Sequence, residues 1–71
     1  MNKKLFESAM KRYGDTQESL ANFLGLTRAC VNRKINESTA SFTQPEIKSI
    51  KERYELTAEE IDEIFFAENV S

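Results

Sequence analysis

Apolar residues recur along this chain at helical spacing rather than in alternation. Leu5, Phe6, Ala9, Met10 and Tyr13 form one stripe and predict a first helix over Lys3–Tyr13, which Gly14 and Asp15 then break. A second helix starts at Thr16 and carries Leu20, Ala21, Phe23 and Leu24. It ends at Gly25, a residue suited to the left-handed turn of a helix C-terminus. Thr27 opens a third helix with Val31 and Ile35 on its inner face, and residues 36–41 read as a loop. Thr43 opens a fourth through Ile47, Ile50, Lys51 and Tyr54, and Thr57 a fifth through Ile61, Ile64 and Phe65. No segment alternates convincingly at period two, and no internal repeat or low-complexity tract is present.

These helix starts share one chemistry. A threonine hydroxyl at the N-cap accepts a hydrogen bond from an amide that the first turn leaves unpaired. Thr43 with Glu46, and Thr57 with Glu60, have capping-box spacing. Leu26 with Val31, Phe42 with Ile47, and Leu56 with Ile61 have the spacing of hydrophobic staples. Pro45 falls in a first turn, where its missing N–H costs little. Five short helices follow, and with them an all-α fold.

Composition narrows the function classes. At 71 residues the chain suffices for one domain, residues 1–71, built on one compact core. Two glycines and one proline argue against disorder and against a turn-rich β fold. Without histidine, Cys/His zinc sites and His-based catalysis are excluded. The single cysteine, Cys30, allows no internal disulfide and suits a reducing, cytoplasmic setting. It reads as a small helix residue. Glu59, Glu60, Asp62 and Glu63 lack the glycine and spacing of a calcium loop and read as early-turn acids favoured by the helix dipole. There is no glycine-rich phosphate loop and no convergent carboxylate pair, so no enzyme, catalytic residue, cofactor or metal is expected. No apolar run approaches the roughly 20 residues of a membrane span, and the basic start of the chain lacks the apolar stretch of a signal peptide.

Charge is unevenly spread. The net charge is −2, yet residues 1–45 hold seven Lys/Arg against four Asp/Glu, and residues 46–71 hold three against eight. Residues 19–36 contain Arg28, Arg33 and Lys34 and no acid. A basic face and an acidic back are expected.

Residues 16–36 carry the functional argument. Ala21 is small where two helices must approach, Gly25 supplies a positive φ, Leu26 fills the core from the turn, and Thr27 caps the next helix. Leu20, Leu24, Val31 and Ile35 hold the pair together. At Thr16-Gln17, Leu20-Ala21, Leu24-Gly25, Thr27 and Val31 the chain resembles the lambda-type repressor and Cro family of helix-turn-helix proteins. Weaker matches continue through Arg33-Lys34-Ile35-Asn36, Phe42-Thr43, Glu46-Ile47, Leu56-Thr57 and Ile64-Phe65-Phe66, which look like small phage or prophage regulators of this kind. One departure is Lys34, placed where many members carry an aliphatic residue.

The resemblance implies a compact five-helix DNA-binding domain whose helix-turn-helix spans about residues 16–36. A step of about 100° per residue puts Arg28, Ala29, Asn32 and Arg33 on the outward face of the third helix, about residues 28–36. A recognition helix presents such a set to the major groove. Arginine grips guanine, asparagine pairs with adenine, and a methyl packs on thymine. Thr16, Gln17, Thr27, Lys34, Asn36, Ser38, Thr39 and Ser41 are the expected phosphate contacts. The partners implied are double-stranded DNA with a pseudo-palindromic operator and a second copy of the chain, in a weak or DNA-induced homodimer. No membrane and no small-molecule ligand are expected. Phe66 lies roughly 140° from Ile61 on an ideal helix. With Val70 it is either an anchor for that second copy or a side chain folded back on its own domain. A rival reading, favoured by the acidic residues 46–71, is a protein-interaction module, such as an antitoxin or antirepressor.

Overall fold

Each helix begins where a short polar side chain can replace a missing backbone partner. The computed structural model describes residues 1–36 and 41–66, and contains α1 (Lys3–Tyr13), α2 (Gln17–Leu24), α3 (Arg28–Asn36), α4 (Gln44–Tyr54) and α5 (Ala58–Ile61). Thr16, Thr43 and Thr57 close capping boxes at the starts of α2, α4 and α5, and the Thr27 hydroxyl accepts from the Cys30 amide at 3.1 Å to start α3. Two features go beyond the sequence reading. Asn2 caps α1 by accepting from the Leu5 amide, and Ser19, rather than a Glu or Gln, completes the box at Thr16.

Three helices end alike. The residue after each adopts the left-handed conformation, and the amide beyond it reaches back to a carbonyl one turn earlier: Asp15 to Met10, Leu26 to Ala21, and Leu56 to Lys51. Two of these left-handed residues are Gly14 (φ 92°) and Gly25 (φ 74°); the third is Glu55 (φ 53°), whose side chain pays a steric penalty there.

The fifth helix departs from expectation. After Ile61 it widens into a π-helical turn over Asp62–Phe66. Ile61 and Ile64 reach the core, and the half-buried Phe65 packs against it. The ideal α-helical projection that set Phe66 aside does not apply through this turn. The turn is also tied to the start of the chain: the Asn2 amide donates to the Ile64 carbonyl at 2.6 Å.

The stripes meet in one apolar core. Phe6, Leu20, Val31 and Ile50, from four different helices, are fully buried. Phe6 lies at the centre of an aromatic group, with ring centroids 5.6 Å from Phe42, 5.8 Å from Phe65 and 6.4 Å from Tyr54. The radius of gyration is 11.2 Å, close to the ~11 Å of a compact domain of this length. Among the described residues there is no strand, and no helix is long and apolar enough to cross a membrane.

Candidate functional site

α2 and α3 pack on one another through a three-residue turn. Gly25 and Leu26 return their amides to Asn22 and Ala21, and Thr27 then caps α3. This back-to-back closure fixes the direction in which α3 leaves. Leu20 and Ala21 on α2 face Val31 and Ile35 on α3 in the buried core, with Leu24 and Leu26 half-buried beside them. Burial of Val31 and Ile35 sets the rotation of α3. Arg28, Ala29, Asn32 and Arg33 are exposed on its far side, and Cys30 is half-buried.

Several expected site residues are already engaged within the domain. Asn32 Nδ2 donates to Gln17 Oε1 at 3.1 Å, which joins the outer face of α3 to the first residue of α2. Asn36 folds back and donates to the Asn32 carbonyl at 2.9 Å. Thr16 and Thr27 use their hydroxyl oxygens as caps; the Thr16 hydroxyl also lies 3.2 Å from the Ser19 hydroxyl, whose own hydrogen goes to Asp15, while the Thr27 O–H is left as a donor. The Ser19 amide is taken by Thr16. Of the four amides that a helix start leaves without intrahelical partners, those of Gln17 and Glu18 remain at the mouth of α2.

Lys34 has a structural task. Its ammonium donates to the Ser41 carbonyl at 2.9 Å, lies 3.6 Å from Glu46, and sits 5.8 Å from the Phe42 ring centre. Its side chain is only 15% exposed. The stem thereby lies over the Phe42 ring, and the charge is neutralised by Glu46. Ser38, Thr39 and Val70 lie outside the described residues. Phe66 is half-exposed, in contact with the Phe65 ring, and lines a groove with Met1, Ile35, Phe42 and Lys3.

One cluster had no signal in the sequence pattern. Asp15, at the approach to α2, accepts from Arg53 Nε at 2.8 Å, Arg53 Nη2 at 3.0 Å and the Tyr54 hydroxyl at 2.6 Å, and also from the Ser19 hydroxyl. The Arg53 guanidinium lies between the exposed rings of Phe23 (4.4 Å) and Tyr13 (4.9 Å). The forked hydrogen bonds from Arg53 hold the Asp15 carboxyl down to about 2, against the opposing pull of burial. Burial, reinforced by the bond to Asp15, pushes the Tyr54 hydroxyl well above its ordinary range. Asp15 would otherwise place an unpaired anion at the entrance to α2. Arg53 cancels it, and the helix start remains compatible with a phosphate.

Among the described residues no group of three or more His, Cys, Asp or Glu is placed to hold a metal ion. No protein-family model matches the chain, and no curated protein or solved structure proved similar to it. Its architecture therefore defines it only as a small all-α domain.

Proposed function

We propose that the chain is a sequence-specific double-stranded DNA-binding domain, a small transcriptional regulator of the phage repressor or Cro kind. In this reading α2 and α3 form its helix-turn-helix. The observation that carries the proposal is the exposed face of α3, where Arg28, Ala29, Asn32 and Arg33 stand opposite the buried Val31 and Ile35. Docked in a major groove, Arg28 and Arg33 address guanine acceptors, Asn32 an adenine, and Ala29 a thymine methyl. The amides at the mouth of α2, with Thr16, Gln17 and Thr27, meet the phosphates that set register. Lys34 contributes by holding the end of α3 to Ser41 and Glu46 rather than as a free cation. A second copy, docking through Phe66, reads the other half-site about one helical turn away. Occupying an operator then excludes polymerase sterically; a reporter that responded only by activation would refute that step.

Selection of duplexes from a random pool, at two salt concentrations, tests the proposal. A symmetric enriched site is expected, with affinity falling steeply as salt rises, because each neutralised phosphate releases counterions. Retention of no duplex at low salt overturns it.

The second reading, a protein-interaction module, draws on the exposed Phe23 and Tyr13 flanking Arg53, since aromatic and arginine side chains dominate protein interfaces. It predicts that no duplex is retained even at low salt, and that Phe23→Ser abolishes partner binding while the chain stays folded.

A further inference from the structure

Asp15 stands just before the Thr16 cap of α2, and its carboxylate is almost fully buried. Four donors converge on it, two from Arg53 and one each from Tyr54 and Ser19. The Ser19 hydroxyl gives its hydrogen to Asp15, and its oxygen accepts the Thr16 amide at 2.9 Å. Asp15 therefore sets the direction of the bonds in the capping box: it takes the Ser19 hydrogen and leaves the Ser19 oxygen to hold the Thr16 backbone. The same carboxylate brings a negative charge to the end of α2 that would otherwise attract an anion. An ordered cap and a phosphate seat conflict there unless a cation offsets the charge. Arg53, 38 positions away, supplies that cation through two N–H bonds of 2.8 and 3.0 Å. Its guanidinium is fixed in turn between the rings of Phe23, at 4.4 Å, and Tyr13, at 4.9 Å. These two exposed rings thus have a task inside the domain, holding Arg53 on Asp15.

We infer that Arg53 is a positioning residue for duplex binding, which acts through Asp15 to keep the start of α2 both capped and electrically neutral. The inference rests on the DNA-binding reading above, in which Arg53 itself meets no phosphate. Asp15 and Arg53 then have opposite effects on affinity, although both support the fold. A purely structural pair moves affinity in the same direction whichever partner is lost.

The experiment measures affinity for the duplex that the wild type enriches, using the full chain, Asp15→Asn, Arg53→Met and the double variant. Each is first melted, and binding is read well below its midpoint. Mildly alkaline pH keeps an uncovered carboxyl ionised. Arg53→Met leaves Asp15 unopposed and is expected to lower affinity about three- to tenfold at low salt. Asp15→Asn leaves Arg53 unopposed and is expected to raise affinity by a similar factor, despite its lower melting point. Both shifts should shrink as salt rises. The double variant should return to within about twofold of the wild type, because both charges are gone. Base preferences should not change, since phosphate contacts carry no sequence. Weaker binding in both single variants, no change in either, or a double variant that stays weak reduces the pair to a structural role and overturns the inference. If Arg53→Met does not fold, the rise expected of Asp15→Asn decides alone. A wild-type chain that enriches no duplex overturns the DNA-binding reading itself, and this inference with it.

Discussion

Replacing Asp15 by asparagine removes one charge from a side chain that is 3% exposed and leaves every other atom of the cluster in place. The carboxylate accepts two bonds from Arg53 and one each from Tyr54 and Ser19. An asparagine keeps one oxygen but turns an NH2 toward groups that are themselves donors. The cost has two parts. The drop of the Asp15 carboxyl from 3.8 to about 2 is worth ~2.5 kcal/mol between the two charge states. Arg53 is 19% exposed, so water screens part of this and leaves about 1–2 kcal/mol. The mismatched donor and the stranded guanidinium raise the total at neutral pH to about 2–4 kcal/mol. A domain of this size has a stability of roughly 4–11 kcal/mol, and each kcal/mol moves its midpoint by about 7 °C. Asp15→Asn is therefore expected to melt about 15–25 °C below the wild type. The charge-dependent part has a definite pH signature. A carboxyl lowered by folding stabilises fully above its unfolded value near 3.8, and that stabilisation fades as pH falls toward about 2. The gap between wild type and variant should thus narrow across that window. Melting followed by far-ultraviolet circular dichroism at stepped pH measures both quantities. A variant within a few degrees of wild type at neutral pH, or a gap that does not narrow on acidification, refutes the reasoning.

Other perturbations test other parts of the structure. Arg28→Ala should lower affinity by about 1–3 kcal/mol and relax preference at one base pair; equal losses on every duplex in a binding assay would make Arg28 a backbone contact. Lys34→Met should keep the packing over Phe42 while losing the bonds to Ser41 and Glu46, destabilising by about 1 kcal/mol in urea titrations. It should also leave the salt dependence of DNA binding nearly unchanged, and a slope reduced by a full phosphate contact would contradict that. Glu55→Gly removes a side chain from a left-handed residue and an acid from a helix C-terminus, and should stabilise by about 0.5–1 kcal/mol in the same titration. Leu20→Ala empties part of the fully buried junction between α2 and α3 and should cost about 2–5 kcal/mol by thermal melting.

How far each feature is legible in the sequence depends on how local its cause is. The helix starts rest on Thr16, Thr27, Thr43 and Thr57, each acting within its own first turn, and all four are caps in the fold. The buried faces follow from i, i+3, i+4 spacing, and the outward side of α3 follows from the inward side. The π turn at Asp62–Phe66 escaped, because it goes with packing of Phe65 on Phe6 and Phe42, which no local pattern encodes. Asp15 looked like a helix breaker. Its partner Arg53 lies 38 positions away, and neither residue announces the other. Lys34 looked like a surface cation on charge alone, and only the approach of Ser41, Phe42 and Glu46 gives it a place inside. Gln17 and Asn32 were both visible as candidates, but the bond between them depends on how α2 and α3 cross.

The tie between Asn2 and Ile64 gives the chain the topology of a nearly closed ring. Met1 and Phe66, at the two ends of the described residues, line one groove together with Ile35 and Asn36 from the last turn of α3. Anything attached at Met1 emerges beside that turn. Two copies joined end to start by a short flexible linker would hold their grooves near each other at millimolar effective concentration. A weak pairing of copies would then become intramolecular, and its orientation could be varied by linker length alone.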